Sequence, residues 1–466
     1  MRRIGAFFRD RLGLDTIFGF LKSHRVPPDH GTWRGWFYVF GMATLTAFLL
    51  QVLTGIALTS TYIPSPAAAY ESIQYLTHDT RWGWLVRALH FYGASAMVVL
   101  VTAHMSRVFL SGAYKFPREM QWITGVVLLV FTLTMAWTGQ LLRWNQDGVW
   151  TVMVGARFAE RVPFIGDWLA VQVLGGDTIG GATLSRFFVI HAIVLPLLIV
   201  ATVGVHLWMV LYNGISEWPK AGRKVDPTRY RAWFANLKKT VGIPYWPNVM
   251  SKELIASFVV VAIVFLLAVI FGPVPPGLPP DPTHLAVDPR PDWFVTWYYA
   301  LIWVKPRGLE DLFMVYLPMA ALLALLALPL VFKGGERAPS RRPWAIIVWV
   351  LAALFFGILT ALGLRAPWVP AVETEPLTEQ ELGEVDPEVL RGAELFVERG
   401  CQYCHAVHGQ GGQYGPDLTQ VATRLSPEEM SVRIVMGIRD MPAYREILPT
   451  EELETLVHFL QALEGT

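Results

Sequence analysis

Long apolar stretches recur along the chain and alternate with polar segments. Each stretch is close to the roughly 20 residues that an α-helix needs to cross the hydrocarbon core of a bilayer. The pattern therefore predicts an all-α fold with seven transmembrane helices. The stretches are approximately Trp36–Thr61, Leu85–Leu110, Ile123–Leu142, Phe187–Leu211, Leu254–Phe271, Leu312–Phe332 and Trp344–Leu364.

The polar segments between the stretches predict the orientation. Lysine and arginine are concentrated at the N-terminal tip, in YKFPRE, in PKAGRKVDPTRYRAWFANLKKT and in KGGERAPSRR. Loops rich in these residues stay cytoplasmic. The N-terminus is therefore predicted to be cytoplasmic, and after seven spans the C-terminus is predicted to be on the outer face. The segment before His24 has no apolar core with a small-residue cleavage site, so we expect an amphipathic surface helix there and not a signal peptide.

Composition agrees with a membrane protein that carries a small polar domain. Hydrophobic residues make up 53% of the 466 residues and charged residues 16%, against roughly 25% charged in soluble domains. The net charge of +1 gives no reason to expect a nucleic-acid partner. From about Glu373 the chain becomes acidic and proline-containing, and the remainder is long enough for a small helical domain.

Both cysteines of the chain lie in the segment GCQYCHAVHG. C-x-x-C-H is the attachment signature of c-type haem, in which two thiols form thioethers and the histidine ligates the iron. Cys401 and Cys404 are therefore predicted attachment points, and His405 is a predicted axial ligand. The alternatives are a disulfide, a thioredoxin-like redox pair or half of a zinc site. A zinc site would need further ligands, and the chain has no other cysteine.

The flanks of this motif, RGAELFVERG and GQGGQYGPDL, resemble those of small class I cytochromes c. The sixth iron ligand of those proteins is a methionine in an M-P-x-Y/F setting. RDMPAYREIL provides Met441 in that setting, and Met430 and Met436 are the competing sulfurs.

Four histidines lie inside the predicted spans. His90 and His104 are 14 residues apart on the second stretch, and His191 and His206 are 15 apart on the fourth. In an α-helix these separations give roughly 21–22 Å of rise and a rotation of about 40–60°, so each pair occupies nearly one face. One intramembrane histidine would more often be a hydrogen-bonded core residue, but four at these spacings indicate two haems ligated by paired imidazoles. Both helices run from outside to inside, which pairs His90 with His191 at the outer side and His104 with His206 at the inner side.

Two further sets of residues suit haem binding. Arg87 and Arg186, near the outer helix ends, are candidate partners of haem propionates, although an arginine snorkelling to the interface is the alternative. Glycines in the first and third stretches would leave room for a flat macrocycle, or would serve close helix packing. These glycines are Gly41, Gly55, Gly125 and Gly139.

The segments QVLTGIALT, RALHFYGASAMVVLVTAHMSRVFLSGAYKFPRE, WITGVVLL and LSRFFVIHAIVLPLL resemble the haem-binding core of cytochrome b of the quinol:cytochrome c oxidoreductases. The unequal histidine spacing is similar to the chloroplast-type branch, and YWPNVMSKEL resembles the start of its subunit IV. The resemblance implies a four-helix di-haem part at 1–218, a three-helix subunit IV-like part at 219–372 that carries the outer quinol loop, and a linker with a c-type cytochrome domain at 373–466.

Two departures from the family concern its cofactor and substrate sites. The family's outer quinol site has Pro-Glu-Trp-Tyr, where this chain has PDWF. The resemblance implies that Pro291, Asp292 and Trp293 form the catalytic segment and that Asp292 accepts a quinol proton; the alternative is a turn or cap residue after proline. His284 is the next candidate acceptor. Relatives attach an extra haem through a cysteine where this chain has Val39, so that haem is expected to be missing.

The resemblance implies a proton-translocating redox subunit in a bacterial inner membrane. Quinol from the quinone pool would be oxidised on the outer side. One electron would pass to a Rieske iron–sulfur protein, the c haem and a soluble cytochrome c or plastocyanin-type acceptor. The other would cross the lipid bilayer through two b haems. A homodimer in a multi-subunit complex is expected. The alternative is a b/c electron conduit between the quinone pool and another oxidoreductase, without a Rieske partner.

Overall fold

The computed structural model describes residues 19, 23–176, 178–280, 291–306, 308–365, 375–383, 385–412, 415–438, 441, 443–445 and 447–463. Within these residues, seven helices are long and apolar enough to cross a membrane, which confirms the predicted all-α, seven-span fold. The predicted N-terminal surface helix, apart from its last residues, and His284 lie outside the described residues. The seven spans, in chain order, are Phe40–Thr59, Gly83–Leu110, Glu119–Leu141, Gly181–Asn213, Met250–Phe271, Leu312–Val331 and Pro343–Gly363.

The first four spans form a bundle around a small apolar centre. The first span packs along the second, and the third packs along the fourth. Phe48, Met97 and Ile199 are buried between these spans. The fifth span lies against the first two, and the sixth packs against the third. We call the side at which the first and seventh spans end the C side, and the opposite side the N side.

Four shorter helices belong to the C side, namely Ala69–His78, Gln146–Glu160, Gly166–Leu174 and Trp293–Val304. The loop that follows the fifth span is tied to this layer. The Tyr70 hydroxyl donates to the Gly277 carbonyl (2.7 Å), and the Asn145 amide donates to the Pro276 carbonyl (2.5 Å). Gly277 has φ +80°, a conformation that side chains other than glycine's rarely allow. These contacts hold the loop beside the start of helix Gln146–Glu160.

Two spans contain a π-helical turn near their C-side ends. The turns are Ile190–Val194, which contains His191, and Leu312–Tyr316. Each ends two residues before a proline, Pro196 or Pro318. Proline has no N–H to donate and its ring crowds the carbonyl four residues earlier, so the local helix widens. The Tyr298 hydroxyl donates to the carbonyl of Met314, four residues before Pro318 (2.9 Å).

A buried polar network joins the loops of the N side. Arg337 and Glu217 form an ion pair at 2.5 Å, and both side chains are less than 5% exposed. Tyr230 donates to Glu217 (2.7 Å) and accepts from Arg118 (2.9 Å). Burial raises the pKa of Glu217, but Arg337 and the Tyr230 hydrogen bond outweigh it and hold the pKa below its ordinary value. Several basic residues of the predicted cytoplasmic loops are therefore structural and buried.

Further contacts cross the predicted boundary between residues 218 and 219. Arg342 donates to the Tyr114 hydroxyl (2.9 Å) and to the Phe109 carbonyl (3.1 Å), and Trp122 donates to the Leu325 carbonyl (2.6 Å). Two short antiparallel pairings reinforce the same side: Arg25–Val26 with Ile243–Pro244, and Lys224–Val225 with Gly335–Glu336. The two parts thus share one packed interface on the N side.

The C-terminal domain is a small helical unit. Its helices are Glu379–Leu382, Pro387–Glu398, Pro427–Met436 and Thr450–Ala462. Helix Pro387–Glu398 crosses helix Thr450–Ala462, and the ring centroids of Phe396 and Phe459 are 5.8 Å apart at the crossing. A Cβ at Gly392 would overlap the Phe459 side chain and lie 2.7 Å from the Thr455 carbonyl oxygen. Only glycine therefore permits this close crossing.

Candidate functional site

The structure brings the two C-side histidines together. The ring centroids of His90 and His191 are 6.3 Å apart, and their planes are inclined by 72°. Two imidazoles that bind one metal at about 2 Å per nitrogen have centroids roughly 6 Å apart. On the N side, His104 and His206 are close enough to interact electrostatically. This is the pairing that the sequence predicts.

Three threonine hydroxyls orient the histidine rings. Each hydroxyl lies 2.7–2.9 Å from the carbonyl four residues earlier in its own helix and donates its single proton there. Its oxygen is therefore the acceptor for Nδ1–H of the histidine, which leaves Nε2 unprotonated for a metal. The pairs are Thr54 with His90 (2.9 Å), Thr124 with His206 (2.9 Å) and Thr138 with His191 (3.1 Å). No sequence motif distinguishes these threonines from the others in the spans.

A glycine of the first or third span lies against each of the four histidines. A Cβ at these glycines would lie 2.7–3.8 Å from the Cε1 atom of a histidine ring. At Gly139 and Gly41 this is closer than ordinary contact, so the missing side chain makes room for the imidazole there, whereas Gly55 and Gly125 are at ordinary contact distance. The pairs are Gly41 with His104, Gly55 with His90, Gly125 with His206 and Gly139 with His191. The contact at Gly139 is the tightest, at 2.7 Å.

The two arginines suggested for haem propionates differ in their surroundings. Arg87 is partly buried on the C side and donates to the Val274 carbonyl (2.6 Å) and the Thr77 hydroxyl (3.2 Å). Arg186 is exposed, with its guanidinium 3.5 Å from the Gln172 carbonyl. Arg87 thus has protein partners at the rim of the bundle, and Arg186 lies at its surface.

Asp292 follows Pro291 at the N-terminus of helix Trp293–Val304. Its side chain does not cap that helix. Instead, one carboxylate oxygen lies 3.7 Å from the Arg143 guanidinium. Burial raises the pKa of Asp292, Arg143 lowers it and Asp147 raises it, and the net shift is upward. The carboxyl is therefore a partly buried acid–base group and not a helix cap.

Trp293 connects this segment to the histidine-bearing second span. Its indole N–H donates to the hydroxyl of Ser95 (3.3 Å), five residues after His90 on the same helix. The PDWF segment therefore packs within about two helical turns of the C-side histidine pair. The role of Arg143 could not be predicted from its local sequence, because its contact with Asp292 joins residues far apart in the chain.

The C-x-x-C-H segment of the C-terminal domain has its histidine fixed from one side. Nδ1 of His405 lies 2.8 Å from the Pro416 carbonyl oxygen and donates to it, so Nε2 is left unprotonated. A Cβ at Gly415 would lie 2.5 Å from the ring, so glycine lets the chain cover it. Cys401 and Cys404 are free thiols. Among the described residues, no group of three or more His, Cys, Asp and Glu side chains suits a metal ion.

The three candidate methionines occupy different environments. Met430 is 2% exposed within the domain core, and Met436 is 56% exposed at the end of its helix. Met441 is half-buried and packs against the same core as Cys401, and its backbone pairs with Ile438. Of the three, Met441 alone combines core contact with partial exposure.

These donor sets fit haem iron. The rings of His90 and His191, with Nε2 unprotonated and at a separation that fits one metal ion, suit b-type haem, and His104 with His206 forms a second candidate pair. A histidine whose Nδ1 is hydrogen-bonded, next to two free thiols, suits c-type haem. The fold and these residues define a membrane-spanning cytochrome with b-type and c-type parts.

Comparison with known proteins places the chain in a family. The family model "Cytochrome b/b6/petB" matches residues 31–214, and "Cytochrome C oxidase, cbb3-type, subunit III" matches residues 387–460. Cytochrome b6 of Synechococcus elongatus is 39% identical over 216 residues, which cover 46% of this chain and 99% of the relative. Cytochrome b6 of Chlamydomonas reinhardtii is 38% identical with the same coverage. The chain belongs to the cytochrome b/b6 family and carries a cytochrome c domain in addition.

A solved structure resembles most of the chain. A chain of "Hyperthermophilic respiratory Complex III" superimposes with a TM-score of 0.65 at 26% identity, covering 85% of this chain and 95% of that one. The predicted resemblance to a fused b- and c-type cytochrome is therefore confirmed. The family implies haem b and haem c as cofactors, and the chain is a multi-pass membrane protein in quinol-linked electron transfer.

Proposed function

We propose that this chain is the redox subunit of a quinol:cytochrome c oxidoreductase, or of one with a similar high-potential acceptor, in a bacterial inner membrane. The N side is cytoplasmic and the C side periplasmic, in keeping with the basic N-side loops. The observation that carries the proposal is the contact of Trp293 with Ser95, which sets the Asp292 segment beside the His90–His191 pair. Quinol is oxidised there.

The protein's own contribution at this site is a positioned proton acceptor. Oxidation of a hydroquinone releases two protons, and each needs a base within hydrogen-bond reach. Asp292 is partly buried, its side chain is not used as a helix cap, and burial raises its pKa. A raised pKa makes the carboxylate a stronger base near neutral pH.

The ligand sets described above support two non-covalent haem b groups and one covalent haem c. His90 and His191 hold one haem b and His104 and His206 the other; Cys401 and Cys404 attach haem c, with His405 and Met441 as its ligands. When bound, these groups carry single electrons between the quinol site, the opposite membrane face and an acceptor. We propose a division into 1–218, 219–372 and 373–466, and the family matches at 31–214 and 387–460 support it.

The positions of the two cysteines bear on which protein partners the chain needs. Both of its cysteines lie in the C-x-x-C-H motif, and we propose that a Rieske protein supplies the iron–sulfur centre. A soluble cytochrome c is the acceptor, the quinone pool supplies the substrate, and proton translocation accompanies turnover. The complex is multi-subunit and homodimeric.

Purification of the complex from native membranes tests this proposal. Quinol-driven reduction of the c-domain haem is expected to depend on the Rieske protein, because that protein carries the first electron. Removing it should leave the c haem oxidised. Reduction of the c haem at an unchanged rate without it would instead support a b/c conduit that serves another oxidoreductase.

The haem content is the next testable quantity. Four histidines in opposed pairs and one C-x-x-C-H motif predict a pyridine haemochrome ratio of roughly two b to one c. Val39 is buried at the start of the first span, where relatives have the cysteine of an extra haem. Deleting the tail from Glu373 should therefore remove all covalent haem on a denaturing gel. Covalent haem that remained with the membrane part would contradict this.

Replacing Met441 with alanine is expected to lower the midpoint potential of the c haem and to abolish its far-red sulfur-to-iron absorption, because a thioether ligand raises the potential. Redox titration of the full complex with optical detection measures both. Met436→Ala is the matched control, since that side chain is largely exposed. Loss of the band in Met436→Ala with an unchanged Met441→Ala spectrum would move the ligand to Met436.

A further inference from the structure

Arg143 lies in the loop between the third span and helix Gln146–Glu160, with its guanidinium directed at Asp292. Its Nη2 atom is 3.7 Å from Oδ1 of Asp292, and the two side chains are 19% and 22% exposed. This separation gives a strong electrostatic attraction in a partly desolvated site but is too long for a hydrogen bond. The contact with Arg143 therefore favours the carboxylate form and leaves the oxygen lone pairs to a hydroxyl donor.

The backbone around Arg143 is held in an unusual conformation. The next residue, Trp144, has φ +44°, in the left-handed region that a bulky aromatic residue rarely adopts. Trp144 is buried, and its backbone N–H donates to the Leu141 carbonyl (2.8 Å). Asn145 caps the following helix, because its side-chain oxygen accepts a hydrogen bond from the backbone N–H of Gly148. Strained residues persist where the surroundings fix them, and they cluster at functional sites. The direction of Arg143 is thus set by the fold.

Charges of both signs act on the Asp292 carboxyl. Arg143 faces it from the loop after the third span, and Asp147 faces it from the first turn of helix Gln146–Glu160. Arg87 of the second span is the neighbouring cation on which Arg143 acts. The PDWF segment contacts the second span through the hydrogen bond between Trp293 and Ser95, and neither of these side chains is charged. A cation and an anion four positions apart in the chain, Arg143 and Asp147, therefore oppose each other at a single carboxyl.

We infer that Arg143 is a positioning residue that keeps Asp292 ionised between turnovers, so that the carboxylate is ready to receive a proton from the bound hydroquinone. The inference rests on the proposed function. In the proton transfer, the hydroxyl O–H bond of the quinol breaks, an O–H bond forms on Asp292, and the bonding electron pair stays on the quinol oxygen. Arg143 keeps its own proton throughout, because guanidinium does not deprotonate in proteins.

The test is the pH profile of quinol-dependent c-haem reduction in the purified complex, with a short-chain benzoquinol as the probe. An opposite charge within a few ångströms lowers a carboxyl pKa by about 1–3 units. Arg143→Gln should therefore shift the acidic limb of the profile upward by about 1–3 pH units, with the rate recovering at high pH. Arg143→Lys should keep the limb near its wild-type position. Asp147→Asn removes a like charge and should shift the limb downward.

Arg161→Gln is the matched control, because Arg161 is an arginine of the same side that pairs with Asp311 at 2.6 Å, and its profile should be unchanged. An unshifted limb in Arg143→Gln, with Asp292→Asn still slow, would overturn the inference and leave the proposed function standing. If Arg143→Gln does not assemble, Asp147→Asn decides: a downward shift supports the electrostatic control of Asp292, and no shift overturns it. A wild-type rate in Asp292→Asn would overturn the proposed function itself.

Discussion

Replacing Asp292 with asparagine is expected to slow quinol-dependent reduction of the c-domain haem by roughly 10²-fold or more, the usual effect of losing a general base. The substitution keeps size and polarity, and the aspartate side chain does not cap its helix, so assembly and haem spectra should be normal. Steady-state and stopped-flow rates measured from about pH 5 to about pH 9 provide the check. The wild-type rate should fall at acidic pH, where Asp292 becomes protonated.

Asp292→Glu is the matched variant, because it restores the residue of the resembling family and retains the carboxylate. It should keep substantial activity at neutral pH. If the asparagine variant turned over at the wild-type rate across this range, Asp292 would be a turn residue. The proton acceptor would then have to be sought elsewhere, with His284 as the first candidate.

Replacing Gly139 with valine is expected to cost the protein its C-side haem b. A Cβ at this position lies 2.7 Å from Cε1 and 3.3 Å from Nδ1 of His191, so the ring must move and its hydrogen bond with Thr138 must break. The haemochrome ratio should drop from roughly two b per c to roughly one b per c. Only the haem that we assign to His104 and His206 should remain in the optical spectrum.

Gly204→Val provides the control, because Gly204 lies on the fourth span between His191 and His206 and a Cβ there would meet nothing within 4 Å. Its haem content should match the wild type. An undiminished b-to-c ratio in Gly139→Val would show that His191 is free to move without losing its ligand role, and the proposed ligation would need revision.

The relative positions of the two histidines on each span could be predicted from the sequence, because residue spacing in a helix determines the rise along the axis and the rotation around it. Separations of 14 and 15 residues predict that the two histidines of one span lie on nearly one face of a regular helix. The glycines were ambiguous for the opposite reason. A glycine in the sequence does not indicate which group occupies the space that a side chain would take. In the structure, histidine ring atoms lie next to these glycines.

Other features depended on contacts between distant segments. Thr54, Thr124 and Thr138 look like ordinary intramembrane threonines until their helices are packed. Arg143 reads as one more interfacial arginine until Asp292 approaches it from the loop beyond the fifth span. The π turn around His191 did leave a signal, since Pro196 lies two residues beyond it, but a proline alone does not distinguish a kink from a widened turn.

The buried pair of Glu217 and Arg337 bears on how the two membrane parts are put together. Glu217 precedes the proposed 218/219 boundary and Arg337 follows it. Breaking a buried ion pair by removing one partner typically costs about 3–5 kcal/mol, and separation of the two parts would take from each residue its nearest opposite charge. The peptide bond at the boundary is therefore not the only link between the parts. If the gene were divided there, either polypeptide alone would expose a destabilised face to membrane proteases, and only the matched pair would accumulate. The ion pair would in this way keep the two polypeptides at equal amounts in the membrane.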